Sequence, residues 1–331
     1  MHLTNSLVAA KMATHSLVPT RETLHGCFSR DLPPVLIIDS GDELVIETLD
    51  AGWGLEGHIS PGATRRRFSP RVKGRDDGHA LIGPIAVRGG EPGSVLAIEI
   101  LEVTPGTYGW TNAAGRRTEL NEQLNLTEPP EHSIVWALDR ETGTARNQFD
   151  EVVALRPFLG IIGVAPPEPG MHGTWPPRAT GGNLDCSELV AGSTVYLPIA
   201  VHGGLLSVGD GHAAQGDGEV CTQAIECPME RVRLRVSIKS DMHLSLPRAR
   251  TPAGWITFGF DRDLDRAMFQ ALDAMLDLLQ EQFGWDRKHA LGMASIVGTF
   301  RVTQIVNGVK GIHGILPHGS VKVASARHQP G

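Results

Sequence analysis

The sequence has few of the features that mark nucleic-acid-binding or membrane proteins. Aromatic residues make up only 5% of its 331 positions, which argues against the stacking surfaces that bind single-stranded nucleic acid. Thirty basic and 37 acidic side chains give a net charge of −7, whereas a duplex-binding domain is expected to be basic. Residues 189–209 carry no charged side chain, but they include Pro198 and four glycines. We therefore expect buried strands there rather than a membrane span.

Cysteine is also scarce. None of the four cysteines forms a Cys-x-x-Cys pair, which excludes zinc-ribbon and thioredoxin-like proteins. Reduced thiols in a cytoplasmic protein are the simplest interpretation, and the apolar run at residues 7–10 is too short for a signal-peptide core. Cys186, close to Glu188, allows a thiol-nucleophile interpretation, although an unpaired cysteine is usually a small buried hydrophobe.

Glycine and proline, with 39 and 22 residues, are in excess over an average protein. They follow no fixed period, so they indicate many turns between short strands. Apolar or alternating segments predict strands at residues 34–38, 43–49, 83–87, 94–103, 158–164, 231–239, 300–306 and 313–317. Residues 104–150 are polar and turn-rich, and their pattern assigns no clear structure.

One long amphipathic helix is expected near the C-terminus. Apolar residues recur at steps of three and four from Leu264 to Phe283, and Gly284 follows as a stop signal. A second helix is predicted to begin after the capping residue Asp286. We therefore predict a mainly β fold, β-sandwich-like with mixed α+β character and a C-terminal helical pair. Residues 1–331 are expected to form one unit, comprising an N-terminal β half (1–165), a β region with the active-site loops (166–260), and the helices with closing strands (261–331).

The densest cluster of chemically active side chains is the segment SVGDGHAAQGDGE, residues 207–219. On an extended backbone Asp210 and His212 leave the same face, and Asp217 and Glu219 repeat that spacing. Imidazole and carboxylates together suit zinc or an oxygen-preferring divalent cation. An alternative is that the two Asp-Gly pairs merely form two hairpin turns.

A second candidate segment is GGNLD, residues 181–185. Asn183 and Asp185 are expected to project into the same site, although an Asx turn is an equally simple interpretation. His25, Asp50 and His79 each stand apart from other candidate residues in the sequence. Such isolated residues more often have a structural role than a catalytic or ligand role. The basic residues between positions 65 and 75 fit a solvated surface loop, or else a contact with an anion or a partner.

Four segments together resemble the acetamidase/formamidase family: GPIAVRGGEPGSVLAIEI, GGNLD, LLSVGDGHAAQGDGEV and RVTQIVN followed by GIHGILP. The resemblance extends from about residue 20 to residue 317. It implies a β-rich, homo-oligomeric, metal-dependent amidohydrolase that splits short amides such as formamide or acetamide into a carboxylate and ammonia. The residues matching the family's polar positions are Asp50, His79, Asn183, Asp185, Asp210, His212, Gln215, Asp217 and Glu219.

On this resemblance we expect Asp185, Asp210 and His212 to hold a divalent cation, with Asp50 and His79 as further ligands. Zinc is the expected cation and calcium the alternative. The catalytic group is expected to comprise Glu219 as general base, Asn183 as a donor to the oxyanion, and Asp217. The expected partner is a small amide, with neither nucleic acid nor membrane, in a homodimer or higher homo-oligomer. Two rival hypotheses are a β-rich binding module with a structural calcium, and a hydrolase of a larger amide.

Overall fold

The computed structural model describes residues 12–58, 60 and 62–322. Its helices are α1 (Glu119–Gln123), α2 (Leu264–Phe283) and α3 (Arg287–Val297). Its strands are β1 (Thr14–Leu17), β2 (Leu24–His25), β3 (Cys27–Phe28), β4 (Leu36–Ile38), β5 (Glu43–Ile46), β6 (Leu81–Val87), β7 (Val95–Pro105), β8 (Tyr108–Ala113), β9 (His132–Asp139), β10 (Thr144–Asn147), β11 (Val152–Ala154), β12 (Phe158–Gly163), β13 (His172–Gly173), β14 (Gly181–Asn183), β15 (Thr194–Pro198), β16 (Leu206–His212), β17 (Met229–Lys239), β18 (Arg248–Arg250), β19 (Gly254–Asp261), β20 (Thr299–Gln304) and β21 (Lys310–Pro317). The mainly β fold with a C-terminal helical pair is confirmed. The apolar run at residues 7–10 lies outside the described residues.

Two large sheets enclose the main core. Nine strands form one sheet in the order β1-β5-β17-β7-β15-β18-β19-β21-β20, and β14-β12-β16-β6-β2 form the other, with β4 added beside β6. Leu96 and Ile98 of the first sheet share one buried cluster with Ile162 and Val208 of the second. Burial of apolar side chains from both sheets gives the sandwich-like arrangement that the alternating strands predict.

The second sheet positions the polar segments. Strand β12 lies between β14 and β16 and is antiparallel to both. Ile161 pairs with Asn183 on one side, and Phe158 pairs with His212 on the other. The two segments singled out in the sequence, 181–185 and 207–219, therefore flank one central strand.

The two C-terminal helices begin where the sequence predicts, and α2 also ends there. The side chain of Asp263 accepts a hydrogen bond from the N–H of Arg266 at the start of α2, and Gly284 ends the helix with a φ of 69°. Asp286 caps α3 in the same way as Asp263 caps α2. Among the described residues, no helix is long and apolar enough to cross a membrane.

Residues 104–150 are more regular than their sequence suggests. Strands β8 to β11 form a four-stranded antiparallel sheet, with α1 inserted between β8 and β9. Only one of the eight residues of β9 is buried, so the segment lacks the strong apolar alternation by which strands are recognised.

Candidate active site

Five ionisable side chains form a buried cluster at the end of β16. Asp210 and His212 belong to the strand itself, and Asp185 follows β14 by two residues. Glu219 and Glu226 come from the loop that joins β16 to β17. All five are between 1% and 6% exposed. Since a buried charge is costly unless it is paired or bound to a metal, this cluster is the strongest candidate site in the described structure.

Three acids of this cluster have strained backbones. Asp185, Asp210 and Glu219 have φ values of 47°, 58° and 43°, in the left-handed region that non-glycine residues rarely occupy. Such conformations concentrate at functional sites, because the surrounding structure must hold them in place. His212 Nε2 lies 3.5 Å from Asp210 Oδ1, so the expectation that these two side chains converge is confirmed.

Gly160, in the middle of β12, leaves the space that the cluster fills. A Cβ atom at this position would lie 2.7 Å from Asp210 Oδ2, 2.8 Å from Asp185 Oδ1 and 2.8 Å from His212 Cε1. These separations are shorter than van der Waals contact. A glycine inside a buried strand often marks such a close approach. The apolar segment FLGIIGV, residues 158–164, contains such a glycine at its third position.

Each member of the cluster has one polar atom that is buried and has no hydrogen-bond partner. These atoms are Asp185 Oδ1, Asp210 Oδ1, His212 Nε2, Glu219 Oε2 and Glu226 Oε2. Two sets of three residues bring their ligand atoms within 4.8 Å of one another: Asp185, His212 and Glu219 in one, and Asp210, His212 and Glu226 in the other. One imidazole nitrogen with several carboxylate oxygens is a donor set that a divalent cation accepts. The residues therefore fit the metal that the family resemblance implies.

The second oxygen of some of these acids is already occupied. Asn307 Nδ2 donates to Asp185 Oδ2 over 2.6 Å. The backbone N–H of Ala224 donates to Glu226 Oε1 over 3.1 Å. These hydrogen bonds hold the carboxylates in place while their other oxygens stay free, as outer partners of metal ligands commonly do.

The carboxyl groups of Asp185, Glu219 and Glu226 resist ionisation. Burial raises the pKa of Asp185 and that of Glu226 to about 7. Burial and the neighbouring charge of Asp185 also raise the pKa of Glu219 well above its ordinary value. Without a compensating cation, these acids therefore keep their protons to a higher pH than exposed carboxyl groups do.

Asp210 and His212 behave in the opposite way. Burial opposes ionisation of Asp210, but the adjacent His79 and His212 outweigh it and lower its pKa to about 2. Burial disfavours the charged form of His212, but Glu226 and Asp210 outweigh it and raise the pKa of the imidazole well above its ordinary value. The cluster is therefore an electrostatically coupled unit in which a positive charge is strongly favoured.

Asp50 does not join this cluster, contrary to expectation. Its carboxylate is paired with the guanidinium of Arg65, and both side chains are almost fully buried. The N–H groups of Gly52 and Gly54 also donate to Asp50 Oδ1, over 2.9 and 3.0 Å. Asp50 therefore belongs to a buried ion pair, and Arg65 is an exception to the interpretation of residues 65–75 as a solvated loop.

Asp217 faces away from the cluster. Its side chain is 32% exposed and lies 3.6 Å from Arg301, and Ser187 Oγ is 3.4 Å from Asp217 Oδ1. The expectation that Asp217 and Glu219 leave the backbone on the same side is wrong, because Gly218 and Glu219 have φ values of 99° and 43°. The segment is a turn rather than an extended strand, so only Glu219 points inward.

His79 and Asn183 contact one segment beside the cluster. His79 Nδ1 lies 2.6 Å from Thr174 Oγ1, and its ring centroid is 4.7 Å from that of Trp175. Asn183 Nδ2 donates to the carbonyl of Trp175 over 3.1 Å, while its Oδ1 is buried without a partner. Neither residue belongs to the two possible ligand sets.

Sequence reasoning missed Glu226 and Asn307. Glu226 lies outside the acidic glycine-rich segment, but its backbone pairs with that of His212. Asn307 stood in the quoted motif RVTQIVN without an assigned role. Its contact with Asp185 spans 122 positions, so no local pattern indicates it. Two cavities of 690 and 350 Å³ lie elsewhere and include none of the clustered acids.

Proteins of one known family are similar to this chain over most of its length. The model of the acetamidase/formamidase family matches residues 12–173 and 167–315. A formamidase of Methylophilus methylotrophus is 27% identical over 248 residues, covering 60% of this chain and 59% of that protein. An acetamidase of Mycolicibacterium smegmatis is 25% identical over 254 residues, covering 59% of this chain and 61% of that protein. The matches thus span less than two thirds of the length of these two relatives.

A solved structure gives more complete coverage. The acetamidase from Bacillus halodurans superimposes with a TM-score of 0.80 and 28% identity, covering 92% of this chain and 97% of that one. Together with the family model, which covers most of the described residues, this settles the class. The chain belongs to the acetamidase/formamidase family.

Proposed function

We propose that this protein hydrolyses a short-chain linear amide, of the formamide or acetamide type, to a carboxylate and ammonia at the cluster around His212. The carrying observation is the set of five buried polar atoms that have no hydrogen-bond partner. Buried polar atoms are rarely left unpaired. Five such atoms in one buried cluster, with two sets of three ligand residues that share His212, support a site that binds a cation and a reacting water molecule.

We assign the cation to His212, Asp210 and Glu226. His212 Nε2 lies 3.5 Å from Asp210 Oδ1 and 3.4 Å from Glu226 Oε1, so these three side chains already converge on one point. Zinc suits the imidazole nitrogen better than calcium does. A bound divalent cation would lower the pKa of its water toward neutrality and polarise the amide carbonyl.

Glu219 is the proposed general base. Its raised pKa suits a group that gains and then returns a proton near neutral pH. Glu219 takes a proton from the water as the water oxygen bonds to the carbonyl carbon. It then donates that proton to the amide nitrogen, the carbon–nitrogen bond breaks, and ammonia leaves the carboxylic acid product. Asp185 is held by Asn307. Its charge, next to Glu219, helps to keep the pKa of Glu219 high.

The substrate is proposed to be small and uncharged. The clustered side chains are at most 6% exposed, so a large or charged substrate would lose much hydration on reaching them. A short amide loses little. The names of the two relatives, formamidase and acetamidase, support the same substrate class.

The test combines metal analysis with an assay of ammonia release. Purified protein is analysed for bound elements, and ammonia is measured from formamide, acetamide, propionamide and benzamide before and after chelation. We expect roughly one or more equivalents of zinc, turnover that falls from formamide or acetamide to benzamide, and recovery when Zn²⁺ is restored. Full activity in metal-free protein would refute the role of the cation. Calcium without ammonia from any amide would favour a binding module, and preference for benzamide would favour a hydrolase of larger amides.

Two further expectations belong to this proposal. A homo-oligomer is expected, and light scattering at several protein concentrations measures it directly. A cytoplasmic location with reduced thiols is expected as well, and thiol titration of freshly lysed cells tests whether the cysteines are reduced.

A further inference from the structure

Gln215 contacts two members of one possible ligand set, Asp185 and His212, through a single side chain. It lies in the loop after β16, three residues beyond His212. Gln215 Nε2 donates to the backbone carbonyl of Asp185 over 2.7 Å, and Gln215 Oε1 lies 2.9 Å from His212 Nδ1.

These two contacts determine where the imidazole carries its proton. A carbonyl oxygen can only accept, so the contact with Asp185 requires the nitrogen of the Gln215 carboxamide. The carboxamide oxygen must then face His212. Since that oxygen can also only accept, His212 Nδ1 must be the donor.

We propose that Gln215 is a positioning residue, which fixes His212 in the Nδ1–H form and so presents the Nε2 lone pair to a divalent cation. In a neutral imidazole one nitrogen donates and the other accepts. With the proton on Nδ1, the accepting atom is Nε2, which is buried without a hydrogen-bond partner and faces two carboxylates. A lone pair placed among carboxylate oxygens is unfavourable unless Nε2 is protonated or a metal cation lies between them.

The same side chain also supports the strained residue Asp185. That residue has a φ of 47°, and its backbone carbonyl is held by Gln215 while its carboxylate is held by Asn307. Gln215 therefore couples the orientation of the shared ligand, His212, to the backbone that presents Asp185.

The test uses protein labelled with ¹⁵N in histidine, studied by NMR with and without Zn²⁺, together with Zn²⁺ affinity from competition with a chromophoric chelator. In the wild type we expect a slowly exchanging His212 Nδ1–H in both states, and Nε2 shifted by Zn²⁺. Gln215→Leu removes the acceptor, so the Nδ1–H signal should be lost or exchange rapidly, and Zn²⁺ should bind about 10–100-fold more weakly. Gln215→Glu retains the acceptor for His212 but loses the donor to the Asp185 carbonyl, so the Nδ1–H signal should persist and the affinity should return only in part.

Gln223→Leu is the matched control. Gln223 is a carboxamide residue of the same loop that accepts from the backbone N–H of Asn112, outside the cluster. This variant should keep the wild-type His212 signals and Zn²⁺ affinity. A wild-type His212 whose Nδ1 carries no proton, or an unchanged Nδ1–H in Gln215→Leu, would overturn the proposal. The choice of cation rests on the proposed function, but the position of the proton does not. A protein that releases no ammonia yet shows a Gln215-dependent Nδ1–H would refute only the hydrolase.

Discussion

Gly160 should accept no side chain without loss of activity. In Gly160→Ala the new methyl carbon would lie 2.7 Å from Asp210 Oδ2 and 2.8 Å from both Asp185 Oδ1 and His212 Cε1. To restore an ordinary contact distance of about 3.5 Å, each of these three groups must move away from the methyl carbon by roughly 0.7 Å. The φ of Gly160 is not positive, so alanine fits the backbone and the whole effect comes from the methyl group.

The consequence should be far larger for catalysis than for folding. Overpacking a buried site costs about 1–3 kcal/mol, whereas misplacing reacting groups by close to 1 Å costs about 10²-fold in rate. We therefore expect Gly160→Ala to release ammonia at least about 100-fold more slowly and to lose bound metal, while its urea midpoint falls only moderately. Ile162→Val, in the same strand, is the control, because it costs about 0.5–1.5 kcal/mol and does not touch the cluster. Wild-type turnover and metal content in Gly160→Ala would refute the geometry described for this site.

Three further predictions test the assigned roles. Glu219→Gln should fold and retain bound metal but lose about 10²–10⁴-fold in turnover; full activity would remove Glu219 from the reaction. Asp50→Ala should lower the free energy of unfolding by about 3–5 kcal/mol, because it leaves the guanidinium of Arg65 buried and unpaired. Its metal content should be unchanged, and loss of metal in a folded variant would restore Asp50 as a ligand. In chelated protein, stability should fall as the pH rises from about 4 to about 7. The folded state holds protons on Asp185 and Glu226 up to a pKa of about 7, whereas the unfolded chain releases them near pH 4. Burial lowers the pKa of His25 to about 4, so this residue contributes stability in the opposite direction, and the sign is read from the urea midpoint of Glu226→Gln relative to the wild type at each pH. A relative midpoint that falls between pH 5 and pH 8 would contradict it.

The features that the sequence predicts correctly are those encoded by near neighbours. Helix α2 begins beside its cap Asp263 and ends at Gly284, because capping and the 3.6-residue period act within one or two turns. Asp210 and His212 converge as their spacing on one strand predicts, although Asp210 itself has a left-handed φ of 58°. Such features need no knowledge of the rest of the chain.

The features that were missed depend on long-range pairing or on an unusual backbone. From the sequence alone, Asp50 is a plausible metal ligand, but in the folded chain it is paired with Arg65. Asp217 and Glu219 share the spacing of Asp210 and His212, but a turn separates them. The strand period therefore applies to the first pair and fails for the second. Distinguishing these cases requires the backbone dihedral angles, which the residue pattern alone does not contain.

Burial decides between the two interpretations of the acidic glycine-rich segment. Ordinary Asp-Gly hairpin turns place their carboxylates in solvent, where a left-handed residue costs little and carries no charge into the core. Here Asp185, Asp210 and Glu219 combine left-handed backbones with nearly complete burial, so each carries both a strain of about 1–3 kcal/mol and a desolvation penalty. A chain selected for stability alone would hold apolar residues or glycine at these positions. The concentration of both costs on three converging acids therefore favours a binding role for them over a role in turning the chain.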